Sequence, residues 1–328
     1  MRIVFMGTPD LAATVLAGLY EAGYELPLIV TQPDKPSGRG RKSSFSPVKA
    51  YAVEKGLPVI QPASLKDPEV ETRVKEADPD VMVVAAYGRL LPLNLLEAAP
   101  LGCLNVHASL LPAYRGAAPI QWALLKGESE TGVTIMQMDE GLDTGPILLQ
   151  ERLSIPENMD GGELYRALSD LGAALLLQTL PLWAEGGLTP RMQPAEGVSY
   201  AERITRAQEK IDWHEPAAAI RNQVRAFSPA PGASATLGDT EIKVLGAEVY
   251  SEEDRQQAEK GGEGPDVAVP GQIRRIIRKR GPVVATGEGE LLLTQVQPAG
   301  KRPMDAWSWL NGSRLAAGDR FRAQRTEE

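Results

Sequence analysis

Short runs that are apolar at every position, each followed by a segment with helical spacing, constrain this chain more than any other feature. Residues 81–86 read Val-Met-Val-Val-Ala-Ala, and a strand that is apolar on both faces must be covered on both. Residues 2–6 form a β-rich run that stops at Gly7, after which Ala12, Val15, Leu16 and Leu19 fall on one helical stripe. Thr8 fits the N-cap of that helix, Pro9 its first position and Gly23 its C-terminal stop. The pattern recurs, with an apolar run at 26–31, a helix over 47–55 and a short strand at 57–60. Residues 103–107, 132–138 and 147–153 supply further strands. The spacing of Leu164, Leu168, Leu171, Leu175 and Leu176 predicts a long helix over 162–183. This is an α/β domain with a mostly parallel sheet covered on both sides.

The texture changes after Gly186-Gly187, where the first domain, 1–186, is expected to end. Residues 187–205 carry two Gly, two Pro and few apolar side chains and read as a linker. Beyond it, Ala217, Ile220, Val224 and Phe227 give one helical stripe. Short alternating segments at 233–237, 241–247, 272–277, 283–286 and 291–296 then predict a small β-barrel over 206–328. Residues 250–268, rich in Glu, Gln, Gly and Asp and without periodicity, read as a loop insertion. A length of 328 residues accommodates two such domains.

A single cysteine, Cys103, excludes a disulfide within the chain, and with only His107 and His214 beside it no zinc site of the Cys/His type is expected, nor any other metal. The N-terminal apolar run is too short for a signal-peptide core, and no run of about 18 apolar residues follows. A cytoplasmic protein without membrane contact is therefore expected. Gly7-Thr8-Pro9 is not a dinucleotide fingerprint and no Walker loop occurs, so neither NAD nor ATP is expected. A net charge of -8 argues at first against a nucleic-acid partner. Yet residues 206–328 hold 18 basic and 18 acidic side chains, six of those acids and only two of the bases lying in 250–268. The acidity belongs to the first domain, and the barrel outside its insertion is basic.

Asn105 and His107 stand at i and i+2 at the end of a strand, so both leave one face about 6–7 Å apart and can converge on one small group. Parallel sheets place ligands beyond the carboxyl ends of their strands; the plain alternative is a structural polar pair. Asp139-Glu140-Gly141-Leu142-Asp143-Thr144-Gly145 follows another strand, and its glycines permit a tight turn that brings a carboxylate close to a ligand. A solvated acidic turn or a calcium loop would look similar, although the other oxygen ligands of an EF-hand are missing. Asn, His and Asp together suit acyl transfer without a covalent intermediate: a neutral oxyanion donor, a proton carrier and a carboxylate that orients the imidazole. Ser109 lacks the Gly-x-Ser-x-Gly elbow, and Cys103 lies within an apolar strand. Residues 34–42 (DKPSGRGRK) carry four positive charges and one negative, and could follow a phosphate backbone or simply be a solvated loop. In residues 273–280 (IRRIIRKR) three isoleucines interleave five basic residues, so one face can bury while cations project, as on a nucleic-acid-binding barrel. His214 has no companion pattern and reads as structural or surface.

The runs NVHASLLPAYRGAAPIQWA (105–123) and MQMDEGLDTGPIL (136–148), with MGTPD at the start, TQPDKPSGRGRK (31–42) and WSWLNG near the end, closely resemble the bacterial methionyl-tRNA formyltransferases over nearly the whole chain. The resemblance implies a Rossmann-like catalytic domain followed by an OB-like barrel. It also implies an enzyme that moves a formyl group from 10-formyltetrahydrofolate, used as a donor co-substrate without metal, to the α-amine of methionine on initiator tRNA. By the same resemblance Asn105, His107 and Asp143 match the catalytic trio, and Ser109, Leu110, Leu111 and Pro112 the folate-binding loop. Arg39, Arg41 and Lys42 match the basic loop that meets the tRNA acceptor end, and Arg89 and Leu90 the pteridine pocket. A monomer is expected. The insertion at 250–268 departs from the family pattern. The alternatives are another 10-formyltetrahydrofolate-dependent formyltransferase or hydrolase with the same trio, and an RNA-binding protein on a retired catalytic scaffold.

Overall fold

The computed structural model describes residues 1–37, 42–251, 253–254, 269–313 and 315–322. Contacts divide the chain into two compact units. The first comprises Met1–Pro119, Ser129–Ile155 and Leu164–Arg203; the second comprises Ile120–Glu128, Pro156–Glu163 and Ile204–Glu328. Two short segments from within 1–186 thus group with the second unit, and most of the expected linker groups with the first.

In the first unit, β1 (Arg2–Gly7), β2 (Glu25–Val30), β5 (Val59–Ile60), β6 (Val81–Ala85) and β7 (Cys103–His107) run parallel in the order β5-β2-β1-β6-β7. β9 (Glu130–Gln137) and β10 (Ile147–Ser154) extend the β7 edge antiparallel. Strand order reverses beside β1, so the carboxyl ends of β6 and β7 open where such sheets hold ligands. The all-apolar runs do what their composition requires: every residue of β6 and β7 is buried. On one face Val4, Met6, Val30, Met82, Val84 and Cys103 pack with Val70 and Val74 of α3 (Pro68–Glu76) and Leu95 and Leu96 of α4 (Leu93–Leu96), each fully buried aliphatic side chain contributing about 1.5–3 kcal/mol.

The other face carries α6 (Gly161–Ala184), begun by a reciprocal capping box in which Asp160 Oδ1 accepts from Glu163 N–H and Glu163 Oε2 accepts from Asp160 N–H. Gly172 lets this helix lie close over the sheet, since a Cβ there would stand 2.8 Å from Val106 Cγ1. By length and composition α6 could cross a membrane, but Leu164, Leu168, Leu175, Leu176 and Leu180 of its apolar stripe are buried against the protein. α1 (Asp10–Glu21) starts one residue later than Thr8 capping would require. Pro9 is its N-cap, without a side-chain cap bond, and Thr8 Oγ1 instead accepts from Gln32 N–H. Gly23, at φ +80°, ends the helix in the left-handed region as expected.

In the second unit β12 (Ala233–Leu237), β13 (Thr240–Val249), β16 (Glu290–Pro298), β15 (Gly281–Ala285) and β14 (Ile273–Ile277) form an antiparallel sheet in that order. Its two edges are joined by the segment at 318–322. Phe321 N–H donates to Gly271 O and Arg322 N–H to Thr236 O, while Ile273 N–H donates to Asp319 O. These bonds close the sheet into a small barrel, removing its free edges. Inside, α7 (Ala217–Phe227) contributes Ile220, Val224 and Phe227. Phe321 stacks on Trp213 with ring centroids 5.0 Å apart and on Trp309 at 6.5 Å.

Candidate active site

Side chains alternate along β7, so Cys103, Asn105 and His107 share the face that carries α3 and α4. The apolar member lies deep in the strand, and the two polar ones approach its carboxyl end. Cys103 is buried, its Sγ donating to Met138 Sδ at 3.5 Å, and burial pushes its thiol up to about 12. It is a core residue. Asn105 and His107 are 8% and 5% exposed, a costly burial for polar groups without partners.

Their partner comes from the β9–β10 connection. Asp143 places Oδ1 3.5 Å from Asn105 Nδ2 and Oδ2 3.7 Å from His107 Nδ1. The carboxylate is fixed by a stronger contact, the N–H of Gly116, which donates to Oδ2 at 2.8 Å. Gly116 has φ +118°, and a Cβ there would lie 2.8 Å from Ala201 O, so only glycine offers this N–H. The other ring nitrogen, His107 Nε2, stands 3.0 Å from Tyr114 O. A carbonyl only accepts, so Nε2 carries the hydrogen. Tyr114 and Asp143 are both left-handed, at φ +60° and +52°, costing about 1–2 kcal/mol each for a non-glycine residue. Such strain persists only where surrounding bonds hold it.

Those bonds come from the segment expected to be a linker. Ser199 Oγ accepts from Tyr114 N–H at 2.9 Å, and Ser199 O from Arg115 N–H at 2.9 Å. β11 (Tyr200–Ala201) pairs in parallel with β8 (Arg115–Gly116). Gln193 bonds the main chain of the Asp143 turn and the Arg115 guanidinium. Tyr114, Arg115, Gly116, Gln193 and Ser199 were not readable as site residues, because an aperiodic segment carries no sign of which side chains it lends to a distant loop.

The segment 109–112 is a framework more than a lining. Ser109 Oγ is fully buried and donates to Ala113 O at 2.6 Å. Thr134 Oγ1 donates to Ser109 O and accepts from Leu111 N–H, while Gln150 Nε2 donates to Leu111 O. Leu111 is buried; Leu110 and Pro112 are half-buried and remain available at the surface of the loop. After β6, Arg89 Nη1 donates to Ala63 O, and Arg89, Leu90 and Pro92 line a groove of about 300 Å³ with Ser64, Leu65 and Lys66.

On either side of the basic run, β3 (Lys35–Ser37) pairs antiparallel with β4 (Lys42–Ser44). Lys42 opens β4; Arg39 and Arg41 fall outside the described residues. Just before β3, hydrogen bonds from the Lys49 ammonium and the Gln61 amide hold the Asp34 carboxyl below its usual range. The basic run at 273–280 does not project as expected. Arg274 and Arg275 turn toward the buried Glu290, at 3.5 and 3.9 Å, and Arg280 pairs with Glu248 and Asp254. Two arginines sharing a barrel wall with a buried carboxylate are drawn to it, which leaves Arg278 and Lys279 exposed in the turn. Most of the 250–268 insertion lies outside the described residues. His214, 41% exposed, bonds Asp212 at the surface. Among the described residues no group of three or more His, Cys, Asp or Glu side chains could hold a metal ion.

Comparison with known proteins agrees with this architecture. The Formyl transferase family matches residues 1–180, and the family described as Formyl transferase, C-terminal domain, matches residues 203–314. The chain is 48% identical over 322 residues to a methionyl-tRNA formyltransferase of Symbiobacterium thermophilum, covering 98% of this chain and 95% of the relative. It is 46% identical to that of Myxococcus xanthus, covering 97% and 96%. Among solved structures, an N-formyltransferase from Helicobacter canadensis, in complex with folinic acid and dTDP-3-aminofucose, superposes with TM-score 0.63 at 19% identity, covering 91% of this chain and 99% of that one. HypX from Aquifex aeolicus in complex with tetrahydrofolic acid gives TM-score 0.63 at 18% identity, covering 94% of this chain but only 47% of that longer one. The distant structures share the fold alone, whereas the near-complete alignments at 46–48% identity go further. With its strand-end Asn-x-His pair and braced carboxylate set in that fold, the chain belongs to the methionyl-tRNA formyltransferase family.

Proposed function

We propose that this protein transfers a formyl group from 10-formyltetrahydrofolate to the α-amine of methionine on initiator tRNA. The observation that carries the chemistry is the convergence of Asn105, His107 and Asp143 at the carboxyl end of the sheet, with the carboxylate braced by Gly116 N–H. The full-length similarity to methionyl-tRNA formyltransferases supports the choice of substrates.

An α-amine with a pKa near 8 is partly neutral at physiological pH, so the protein need not generate a strong nucleophile. The amine attacks the formyl carbon and forms a tetrahedral oxyanion, which receives hydrogen bonds from Asn105 Nδ2 and from His107 carrying a proton on Nδ1. Tyr114 O keeps the Nε2 edge of the ring engaged, so it is the Nδ1 edge that faces the reaction. Asp143 takes the proton lost by the amine. As the bond between the formyl carbon and the donor nitrogen breaks, that nitrogen takes the His107 proton, and Asp143 returns its proton to His107. Each oxyanion donor of this kind is worth about 100- to 1000-fold in rate.

In this reading residues 1–186 are the catalytic domain and 206–328 the tRNA-binding domain. Leu110 and Pro112, on a frame held by Ser109 and Leu111, hold the donor, with its pteridine in the groove beside Arg89 and Leu90. Arg39, Arg41 and Lys42 meet the acceptor end of the tRNA. The protein works as a monomer in the cytoplasm, without a membrane. The test is one assay with three acceptors. Methionyl initiator tRNA should be formylated, whereas an amino-sugar nucleotide and water should be poor acceptors; preference for either of these would overturn the substrate assignment.

A further inference from the structure

The segment 191–201 crosses the candidate site as a strap anchored at both ends. Arg191 exchanges both main-chain hydrogen bonds with Ile147, at 2.8 and 2.9 Å. Downstream, Arg115 N–H donates to Ser199 O and Ala117 N–H to Ala201 O. Between these anchors the carboxamide of Gln193 is fully used. Its Nε2 donates to the carbonyls of Asp143 at 2.7 Å and Gly145 at 2.8 Å. Its Oε1 accepts from Arg115 Nε at 3.1 Å and Nη2 at 2.7 Å. Two carbonyls on one side and a guanidinium on the other admit a single orientation of the amide.

Asp143 needs such a clamp. Its backbone is left-handed at φ +52°, and the direction of its carboxylate follows from that conformation. Gly116, whose N–H fixes the carboxylate, adjoins Arg115, which Gln193 holds from the other side. One amide therefore ties together the main chain behind the carboxylate and the strand that braces its tip. We propose that Gln193 is a positioning residue for formyl transfer: by holding the Asp143 turn and Arg115 together it sets where the carboxylate meets the reacting amine. The inference rests on Asp143 acting as the proton acceptor. Gln193 contacts Asp143 through the main-chain carbonyl, so it acts by geometry rather than by chemistry.

The test uses the full-length protein, methionyl initiator tRNA and 10-formyltetrahydrofolate, with Gln193→Ala, Gln193→Glu, Asp143→Asn and the double variant Gln193→Ala/Asp143→Asn. Misplacing a reacting group by about 1 Å costs on the order of 100-fold, so Gln193→Ala should slow the single-turnover rate about 10- to 100-fold while leaving KM for both substrates within about threefold. Gln193→Glu changes one atom and keeps the acceptor for Arg115 but loses the donors to the turn; it should be as slow as the alanine variant. In the Asp143→Asn background Gln193→Ala should change the rate by less than about threefold, because the group it positions is gone. Equal losses in the two backgrounds, a raised KM with an unchanged rate, or a wild-type rate in Gln193→Glu would overturn the proposal. A wild-type rate for Asp143→Asn alone would sink the role of Asp143 and this proposal with it; a slow Asp143→Asn beside a normal Gln193→Ala would sink the proposal only.

Discussion

Asp143→Asn is the most informative single change, because it removes a charge while nearly preserving shape. The carboxylate is about one-seventh exposed, and His107 beside it is nearly buried. At 3.7 Å and an effective dielectric of about 20 a full charge pair would gain at most about 4.5 kcal/mol, equivalent to roughly three decades of rate at 1.36 kcal/mol per decade. Removing a positioned general base costs about 10²- to 10⁴-fold, so the two routes agree on a loss near 10³-fold. The fold should survive, since the asparagine carbonyl oxygen can still accept from Gly116 N–H; the remaining mismatch, an amide NH2 facing Asn105 Nδ2, costs about 1 kcal/mol of stability. Rapid-quench formylation at saturating donor and charged tRNA reads the chemical step directly, with urea unfolding as the control for the fold. A loss below about tenfold in a folded variant, or one confined to KM, would refute the assignment of Asp143 as the proton acceptor.

Three further outcomes follow from the same structure. Charge reversal at Arg39 should raise KM for methionyl-tRNA at least tenfold and leave donor binding unchanged, which a tRNA titration beside a donor titration would show; equal losses would indicate a folding defect instead. Cys103, with its thiol held up to about 12 by burial, should resist alkylation at pH 8 until the protein is unfolded. Its raised value also means that the unfolded thiol ionises first as pH rises past its ordinary value of 9.0. The folded protein then holds the extra proton, and stability falls by about 1.4 kcal/mol per pH unit between there and about 12; the urea midpoint of wild type should drop more steeply with pH than that of Cys103→Ala. Phe321→Ala removes a fully buried ring stacked on Trp213 from the segment that closes the barrel, and should cost about 3–5 kcal/mol in urea unfolding; a cost below about 1 kcal/mol would mean that the barrel does not depend on that closure.

The sequence alone determined the elements whose side chains obey a short period. The strand at 103–107 has the bounds read for it in the sequence, the helix at 217–227 follows its stripe, and the alternation that puts Cys103, Asn105 and His107 on one face is a property of any extended chain. That is why the polar pair is legible in the sequence alone. Tertiary structure decided the rest. The pairing of β9 antiparallel to β7, the seating of Arg274 and Arg275 on Glu290, and the displacement of the α1 cap from Thr8 to Pro9 all depend on neighbours that no local pattern announces. The site shows the division most clearly. Asn105 and His107 are two residues apart and legible. Asp143 is aimed by Gly116, 27 residues away, and held by Gln193, 50 residues away, and Tyr114 is held by Ser199, 85 residues away. Periodicity reports only whether a residue faces a core. A hydrogen bond across such separations leaves no period in the chain, so the strap that read as a linker acquires its role only when the fold brings it across the loops it holds.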